Sequence, residues 1–318
     1  MIFINDNLKI ATFGNTHDKE VGVMIEGFPI DFEIDFDRVN EMLERRRPGF
    51  SDLSSQRKEE DIPKISSGIV NGKTTGDLIR VCFDNQDVKN NNDKDYVPRP
   101  GHGDFTYFKN TGSFLKGATS ARSTVGIVFA GAICKQYLAE KGIFINAKLL
   151  YPSEEEIRKV AAEGDSLGGL VECTILGLPA GFGNPYGSKL ESQISSCVFN
   201  IPGIKALEFG KGFESLKYKG SELNDPFIVD NGSVRTETNN CGGVLGGMAT
   251  GSPVVFRAVF KPTPSVAKPQ NTVNLMTLEP VVLKTGSRND PCIAIRGAVV
   301  LEAAAAIAIT NICLSSVY

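Results

Sequence analysis

The stretch AVVLEAAAAIAITNICL, residues 298–314, is a long apolar run near the C-terminus of a chain of 318 residues. Glu302 and Asn311 interrupt it, and a membrane-spanning helix needs about 20 predominantly apolar residues, so the run falls short of a comfortable span. Its alanines favour a helix that another element can approach closely. We therefore expect an alanine-rich helix packed at a close interface inside a folded protein, and no membrane partner.

The composition of the whole chain is that of a soluble globular protein, with 41% hydrophobic and 22% charged residues. A net charge of −3 gives no broad basic field, so we expect no nucleic-acid partner. The seven cysteines lack CxxC pairs and metal-ligand spacing, which favours free thiols in a reducing compartment and no metal site. The N-terminus has no basic segment followed by a long apolar run, so we predict a cytoplasmic protein without a secretory signal.

Strand and helix patterns occur in both halves of the chain. Alternation predicts strands at 8–13, 21–25, 78–83, 170–178, 204–209 and 254–259. Helical spacing predicts helices at 37–47, at 120–142, from Ser153 onward, and up to about Phe199. The polar residues 84–104 are predicted to be a loop, and the proline-containing residues 261–265 to be irregular. Because no linker separates the halves, we expect one domain over 1–318, of α/β or α+β class.

The chain has only two histidines, and both lie in glycine-bearing loops. His17 lies in GNTHD, residues 14–18, and His102 lies in VPRPGHGD, residues 97–104. A single loop histidine is often only a surface or hydrogen-bonded residue. Loops held by a rigid scaffold also carry catalytic groups, and imidazole changes its charge near neutral pH. Two such loops together favour proton transfer as their function.

Three arginine-containing segments are candidate anion sites. Residues 45–47, all arginine, close a predicted helix, where the helix dipole alone explains them, or they bind an anion. The segment TSARST, residues 119–124, places hydroxyls and Arg122 where a helix starts, which is typical of a phosphate cradle but also of helix caps. The segment RNDPCIAIR, residues 288–296, holds two arginines and an aspartate, either as a surface salt bridge or as part of a site.

The glycine-rich segments match neither common nucleotide motif. Residues 242–247 allow close approach of a ligand to the backbone, but they lack the GxGxxG spacing. Residues 72–74, Gly-Lys-Thr, lack the P-loop spacing because the upstream Gly68 is one residue too close. The residues by themselves therefore predict a pocket for a polyanionic small molecule, with acid–base chemistry.

Several segments, taken in order, resemble the chorismate synthase family. They are TFGNTHD (12–18), RRRPG (45–49), SSGIVNGKTTG (66–76), RPGHGD (99–104), TSAR (119–122), GDSLGG (164–169), TNNCGGVLGG (238–247), KPTPS (261–265) and RNDPCIAIR (288–296). The resemblance covers about residues 3–314, and agreement of so many motifs in one order is not expected by chance.

The resemblance implies an anti-1,4-elimination of phosphate from 5-enolpyruvylshikimate 3-phosphate to give chorismate, a step of the shikimate pathway towards the aromatic amino acids. It implies reduced FMN as a cofactor, although the overall reaction has no net redox change, and NADPH as a reductant in members that reduce their own flavin. A substrate with one phosphate and two carboxylates would account for the arginine clusters. The implied fold is a single-domain β-α-β sandwich of α+β class, assembled as a homotetramer.

The resemblance also implies roles for individual residues. His17 would assist phosphate departure as a proton donor, His102 would protonate or stabilise the reduced flavin, and Asp290 would act with the flavin in removing the ring proton. Substrate anions would be held by Arg46, Arg122 and Arg296. Arg46 also matches a position assigned to NADP. The FMN site would be lined by Thr119, Ser120, Pro202, Gly203, Gly246, Lys261, Pro262, Thr263, Pro264, Ser265 and Arg288.

Some positions depart from the family pattern. The family's first histidine motif reads GESHG, so Asp18 stands where a glycine is expected and places a negative charge beside His17. Ala118 and Asp52 stand where arginines are expected, and residues 202–203, Pro-Gly, replace an Asn-Ala pair that contacts flavin. These departures motivate an alternative, a catalytically impaired flavin- or anion-binding relative that keeps the scaffold. A flavin reductase is less favoured because no nicotinamide motif is evident.

Overall fold

The computed structural model describes residues 2–4, 7–49, 51, 53–55, 57, 59–86, 96–114, 120–187, 189–285 and 289–315. Its α-helices are α1 (Phe36–Arg46), α2 (Asp104–Thr111), α3 (Thr124–Ala139), α4 (Glu154–Ala162), α5 (Leu190–Phe199), α6 (Gly220–Leu223) and α7 (Ala294–Cys313). Its strands are β1 (Ile2–Ile4), β2 (Lys9–Phe13), β3 (Glu20–Glu26), β4 (Lys64–Ser67), β5 (Ile69–Val70), β6 (Lys73–Thr74), β7 (Ile79–Asp84), β8 (Phe144–Tyr151), β9 (Gly169–Leu176), β10 (Ile204–Phe209), β11 (Phe227–Asp230), β12 (Ser233–Thr236), β13 (Val244–Leu245), β14 (Met248–Ala249), β15 (Val254–Phe260), β16 (Gln270–Val273) and β17 (Pro280–Leu283).

Two antiparallel sheets come from successive parts of the chain. The first has the strand order β1-β2-β3-β7-β4, and the second has the order β10-β15-β9-β8. Shorter hairpins pair β5 with β6, β11 with β12, β13 with β14 and β16 with β17. Along β9 burial alternates, with Val171, Cys173 and Ile175 buried, because successive side chains of a strand point to opposite faces. The second sheet therefore turns one apolar face to the core.

A layer of helices lies between the two sheets. Helix α3 packs against β2, β3 and β7 of the first sheet and against α7, which in turn packs on β8 and β9 of the second sheet. Helix α1 packs on both α3 and α7, and α5 packs on α7 and β10. One buried apolar cluster extends through these layers from Leu8 to Ile312. The order sheet, helix, sheet confirms the expected α+β class and its β-α-β sandwich arrangement.

The contact between α3 and α7 leaves no space for a side chain at Gly131. A methyl group added there would lie 2.3 Å from Ala303 Cβ and 2.4 Å from Ala303 Cα, well inside van der Waals contact. Gly131 meets Ala303, and Cys134 meets Thr310 further along, so the contacts follow the same order on both helices. The helices therefore run parallel and begin at the same end of the layer. The alanine-rich helix expected at a close interface is confirmed.

Helix α7 begins at Ala294, before the apolar run that starts at residue 298. By length and composition it is the one helix among the described residues that qualifies as a candidate membrane span, but nearly all of it is buried inside the fold. Its one acidic residue, Glu302, is fully buried and binds Lys135 of α3 and Arg45 of α1, the latter at 2.8 Å. The carboxylate of Glu302, which interrupts the apolar run, thus links α7 to α1 and α3.

The predicted strands are present with small shifts at their ends, and the structure adds elements that the sequence patterns did not predict, among them α2 and β8. Asp104 begins α2, so the predicted loop over 84–104 is wrong at its end, where the flanking proline and glycines hide the helix start. Strand β8 was not predicted from its pattern. It lies at the edge of its sheet and exposes Phe144, Leu150 and Tyr151, so its apolar residues do not keep to one face.

We expect Gly131→Ala to lower the free energy of unfolding by about 1–3 kcal/mol, because the added methyl overpacks the contact with Ala303. The substitution destabilises even though alanine favours a helix interior over glycine by about 1 kcal/mol. Denaturant unfolding followed by circular dichroism measures the difference. Gly220→Ala is the matched control, because a methyl at this first residue of α6 meets no atom within 4 Å. A Gly131→Ala protein as stable as the parent would contradict the packing.

Candidate active site

Three helix ends bring the arginines of the three segments together. Arg46 is the last residue of α1, Arg122 lies in a 3₁₀ turn (Ala121–Ser123) before α3, and Arg296 lies in the first turn of α7. Arg296 Nη1 donates to Arg46 O at 3.1 Å, and Arg46 Nη1 donates to Ala121 O at 3.3 Å. All three side chains are at most 9% exposed. The residues expected to bind substrate anions therefore lie in one buried place.

Asp61 bridges two of these arginines. Arg46 Nη2 donates to Asp61 Oδ2 at 2.5 Å, and Arg122 Nη1 donates to Asp61 Oδ1. Burial of Asp61 opposes its ionisation, but the charges and hydrogen bonds of the two arginines outweigh it and lower the pKa of Asp61. Burial, partly offset by Asp61, lowers the pKa of Arg46 to about 10, so this arginine is protonated at neutral pH. The ionised carboxylate of Asp61 thus binds the guanidinium groups of both Arg46 and Arg122.

The backbone of Asp61 is also unusual. Its φ angle is +56°, in the left-handed region that disfavours residues other than glycine. Such a conformation costs on the order of 1 kcal/mol or more and persists only where its surroundings hold it. The two arginines supply that restraint.

A second carboxylate, Glu59, extends the network. Arg57 Nε donates to Glu59 Oε1 at 2.5 Å, and Gln86 N donates to Glu59 Oε2 at 3.0 Å. Arg122 Nη2 lies 3.6 Å from the same Oε2. The Glu59 side chain is buried, and a buried charge is tolerated only when it is paired. Asp61 and Glu59 together neutralise the charge that the arginines carry into the interior.

Asp290 forms a two-point ion pair with Arg296. Arg296 Nε donates to Asp290 Oδ1 at 2.9 Å, and Arg296 Nη2 donates to Asp290 Oδ2 at 2.5 Å. Ser55 N also donates to Oδ1, at 2.9 Å. Both partners of the pair are buried next to Arg46. A surface salt bridge, one of the two interpretations of this segment, is therefore wrong.

The turn that carries His17 is closed by its neighbours. Asp18 Oδ2 accepts from Asn15 N at 2.7 Å, and Asp18 N donates to Asn15 O at 3.1 Å. The carboxylate that departs from the family pattern therefore closes the turn. His17 Nδ1 is buried and, in the part of the chain that the structure describes, has no hydrogen-bond partner. A buried ring nitrogen without a partner is suited to exchange a proton with a ligand.

The loop that carries His102 is organised by a buried carboxylate. Arg99 Nε donates to Asp104 Oδ2 at 2.7 Å, and Arg99 Nη2 donates to Asp104 Oδ1 at 2.9 Å. Burial of Asp104 opposes its ionisation, but hydrogen bonds from Arg99 and His102 outweigh it, so the pKa of Asp104 lies well below its usual range.

The same carboxylate determines the tautomer of His102. His102 Nδ1 lies 2.8 Å from Asp104 Oδ1. An ionised oxygen at this distance requires a donor, so we assign the imidazole proton to Nδ1, which leaves Nε2 for chemistry. Arg99 Nη2 also lies 3.1 Å from Nδ1, but its contact with Asp104 Oδ1 is shorter, at 2.9 Å, as is the contact of Nδ1 with the same oxygen.

Residues 261–265 join the His102 loop to the chain beside Asp290. Lys261 Nζ donates to Gly101 O, and Arg99 Nη1 donates to Ser265 Oγ at 3.4 Å. Asn289 Nδ2 donates to Ser265 O at 3.2 Å. These hydrogen bonds, together with the chain from Asn289 to Asp290, connect the His102 loop to the arginine cluster.

The same segment has features of a cofactor cradle. Thr263 Oγ1 is buried and has no hydrogen-bond partner among the described residues, which is costly unless a ligand supplies one. Burial, with a smaller contribution from Lys205, lowers the pKa of Lys261. Lys261 N donates to Gly203 O at 2.8 Å, which places residue 203 beside the segment. A cation, an unpartnered hydroxyl and glycine backbone fit a phosphorylated cofactor such as FMN.

Two further residues that the resemblance assigns to FMN lie close to the arginines. Ser120 Oγ accepts from Arg122 N at 3.2 Å, so Ser120 caps the 3₁₀ turn, as the capping alternative expected. Pro202 lines a cavity of about 20 Å³ together with Arg46 and Arg296. A cavity of that size has room for about one water molecule. Little free space therefore remains between Pro202, Arg46 and Arg296.

The remaining assigned residues are Thr119, Gly246 and Arg288. Gly246 lies in the turn between β13 and β14, and no hydrogen bond between described residues links it to either histidine loop. Thr119 and Arg288, and the departures at Ala118 and Asp52, lie outside the described residues. Within the described ranges, no group of three His, Cys, Asp or Glu residues is placed to hold a metal ion.

Sequence reasoning missed the residues that organise the site. They are Glu59, Asp61, Arg99, Asp104 and Asn85, whose Oδ1 accepts from Arg122 Nε at 2.8 Å. Glu59 and Asp61 lie in a charged run, and such a run usually indicates a solvated face. Arg99 and Asp104 flank His102 in RPGHGD, so an acid and a base on either side of the histidine were an available signal.

Comparisons with known proteins agree on one family. The chorismate synthase family model matches residues 8–151 and 150–314 of this chain. The chorismate synthase of Thermococcus kodakarensis is 40% identical over 338 residues, covering 96% of this chain and 95% of that protein. The chorismate synthase of Methanococcus vannielii is 40% identical over 363 residues, covering 98% and 96%. A crystal structure of a chorismate synthase superposes with a TM-score of 0.76 at 24% identity, covering 97% of this chain and 92% of that chain.

We expect Asp61→Asn to lower the free energy of unfolding at pH 7 by about 3 kcal/mol, because two buried arginines lose their shared counter-charge. The pKa of Asp61 is lowered on folding, so its stabilisation is present above about pH 4 and is lost as the pH falls through the folded value. The difference between parent and variant should therefore shrink below about pH 4, measured by denaturant unfolding across pH. Asp230→Asn, which breaks an exposed pair with Arg235, is the control and should cost about 1 kcal/mol or less. A pH-independent difference would contradict the assignment.

Proposed function

The chain belongs to the chorismate synthase family, and we propose that it is a carbon–oxygen lyase that eliminates phosphate from 5-enolpyruvylshikimate 3-phosphate to give chorismate. The observation that carries the proposal is the gathering of Arg46, Arg122 and Arg296, with the side chain of Asn85 joining Arg122 to the turn that carries His17. A substrate with one phosphate and two carboxylates is complementary to three guanidinium groups, which bind such anions in a bidentate manner.

Substrate binding in this arrangement is an exchange of anions. Asp61 holds Arg46 and Arg122, and Asp290 holds Arg296. The substrate anions take over guanidinium hydrogen bonds that the carboxylates make in its absence, so the buried charge stays compensated throughout. The left-handed backbone of Asp61 favours its release once the arginines have another partner.

Two groups handle the protons of the elimination. His17 donates a proton to the departing phosphate from its imidazole, which is held in a turn whose neighbouring carboxylate is committed to Asn15. Asp290 Oδ2, which accepts a hydrogen bond from Arg296 until the substrate binds, receives the ring proton. The retention of these groups, together with the structural use of Asp18, favours a working enzyme over an impaired relative.

The cofactor of the proposal is reduced FMN, which when bound supplies electron density while the carbon–oxygen bond breaks. Lys261, Thr263 and Ser265 would hold it, with Gly203 alongside. The loop of His102 contacts this segment, and Asp104 holds the Nδ1 proton of His102, so Nε2 is the nitrogen that would exchange a proton. The full assigned set is Thr119, Ser120, Pro202, Gly203, Gly246, Lys261, Pro262, Thr263, Pro264, Ser265 and Arg288.

The proposal has further parts that follow from family membership. NADPH is the reductant if the enzyme reduces its own flavin, with Arg46 as the matching position. The protein is a cytoplasmic homotetramer without nucleic-acid or membrane partners. Residues 1–318 form one domain, which the continuous buried cluster from Leu8 to Ile312 supports.

The decisive measurement is chorismate formation under anaerobic conditions with reduced FMN and the phosphorylated substrate. We expect turnover by the parent protein and a loss of roughly a hundredfold or more in His102→Ala, because proton transfer by a positioned side chain contributes about 10²–10⁴-fold. The fold of the variant should be unchanged, since the loop is polar. Thr106→Ala, which removes an exposed hydroxyl of the same region, is the control and should stay within about twofold of the parent.

The outcomes are distinct. Folded parent protein that forms no chorismate would overturn the proposed function. Full activity in His102→Ala would remove only that residue from the mechanism.

A further inference from the structure

We propose that Asn85 is a positioning residue that couples the substrate-binding Arg122 to the turn of the proton donor His17. The inference rests on the proposed function, because it assumes that these two residues act on the same substrate. Neither the family motifs quoted above nor the comparisons assign a role to Asn85.

The side chain of Asn85 makes contacts in two directions. It follows directly after β7, and its Nδ2 donates to Asp18 O at 2.7 Å and to Asn15 O at 3.0 Å. Its Oδ1 accepts from Arg122 Nε at 2.8 Å. Its backbone N donates to Lys19 O at 2.9 Å. One amide therefore holds both sides of the His17 turn and the guanidinium group of Arg122.

Only a primary amide satisfies all of these contacts. Two backbone carbonyls require two N–H donors, and the guanidinium requires an acceptor, so the network also settles which end of the amide is nitrogen. An aspartate at position 85 would keep an acceptor but would direct oxygen against two carbonyls. A serine or threonine hydroxyl has only one proton to donate.

The His17 turn depends on this amide more than on its own histidine. His17 Nδ1 has no partner among the described residues, so the imidazole is placed by the backbone that carries it. That backbone enters the turn at Gly14, whose φ is +78° and whose Cα hydrogen faces Glu20 O too closely for any side chain. Two contacts then close the turn. Asp18 Oδ2 accepts from Asn15 N, and Asn85 Nδ2 donates to the backbone oxygens of Asn15 and Asp18.

The guanidinium group of Arg122 is oriented by the same amide. Its Nη1 binds Asp61 and its Nη2 donates to Asp84 O at 2.9 Å, while Nε binds Asn85. When a substrate anion replaces Asp61 at Nη1, the contacts at Nε and Nη2 remain. The orientation of Arg122 is thus preserved through the anion exchange, and the His17 turn keeps its position relative to Arg122.

The first test is a double-mutant cycle between Asn85→Ala and His17→Ala, with kcat and KM for the phosphorylated substrate. We expect Asn85→Ala to lower kcat by about ten- to a hundredfold, because small misplacements of a catalytic group can cost about 10²-fold, and to raise KM several-fold through Arg122. In the His17→Ala background, Asn85→Ala should change kcat by less than about twofold and still raise KM. Equal losses of kcat in both backgrounds, or an unchanged KM, would overturn the coupling.

The second test does not depend on activity. Because the chain has only two histidines, NMR of protein labelled with ¹³C at histidine Cε1 gives one signal for each, assigned by the single alanine variants. Asn85→Ala should move the His17 signal and leave the His102 signal in place. Asn146→Ala, an exposed asparagine of β8, is the control and should move neither. A His17 signal that does not respond to Asn85→Ala would overturn the inference.

The two tests separate the inference from the proposed function. A parent protein that forms no chorismate but shows the expected NMR response would sink the function and leave the positioning of His17 standing. If Asn85→Ala does not fold, Asn85→Asp is measured in its place. It removes both donors to the turn while keeping an oxygen for Arg122, so it should move the His17 signal in the same way.

Discussion

The close parallel contact between α3 and α7 is the constraint on which the site depends. Where Gly131 meets Ala303, the backbone of one helix lies against the other, so neither helix can slide or rotate without collision. The starts of the two helices are thereby held side by side, with Arg122 just before one and Arg296 in the first turn of the other. Helix α1 packs on both and contributes Arg46. Packing in the interior therefore sets the spacing of the positive charges.

Because the three arginines lie close together in the interior, their positive charges are costly unless anions pair with them. Helix N-termini carry partial positive charge, and placing guanidinium groups beside two of them concentrates positive potential in a buried region. Carboxylates compensate this positive charge, since Asp61 bridges two arginines and Asp290 pairs with the third. The same potential suits a substrate with several anionic groups. Without substrate, Asp61 and Asp290 pair with the arginines, and in the proposed complex the substrate anions pair with them instead.

Local patterns revealed the elements and the reactive side chains, but not their supports. Six of the strands, the helix ending in Arg46 and the buried C-terminal helix follow from periodicity and length, which are local properties. The two histidines and the arginine segments stood out because of their residue types and their glycine-bearing surroundings. Asp61 and Asn85 did not, because an acidic residue in a charged run and an asparagine in a polar stretch look alike whether they face solvent or a buried arginine. Their roles are set by partners distant in sequence.

The sequence by itself determined a mixed helix and strand content, which left the class at α/β or α+β, and it determined the two imidazoles and the number of arginines, because periodicity and side-chain chemistry are local properties. Its ordered motifs also determined the family. Only the tertiary structure decided that Arg46, Arg122 and Arg296 meet, that Asp61 occupies two of them, and that Asp18 closes its own turn. These facts depend on which helix ends lie side by side, and that is fixed by packing between segments far apart in the chain.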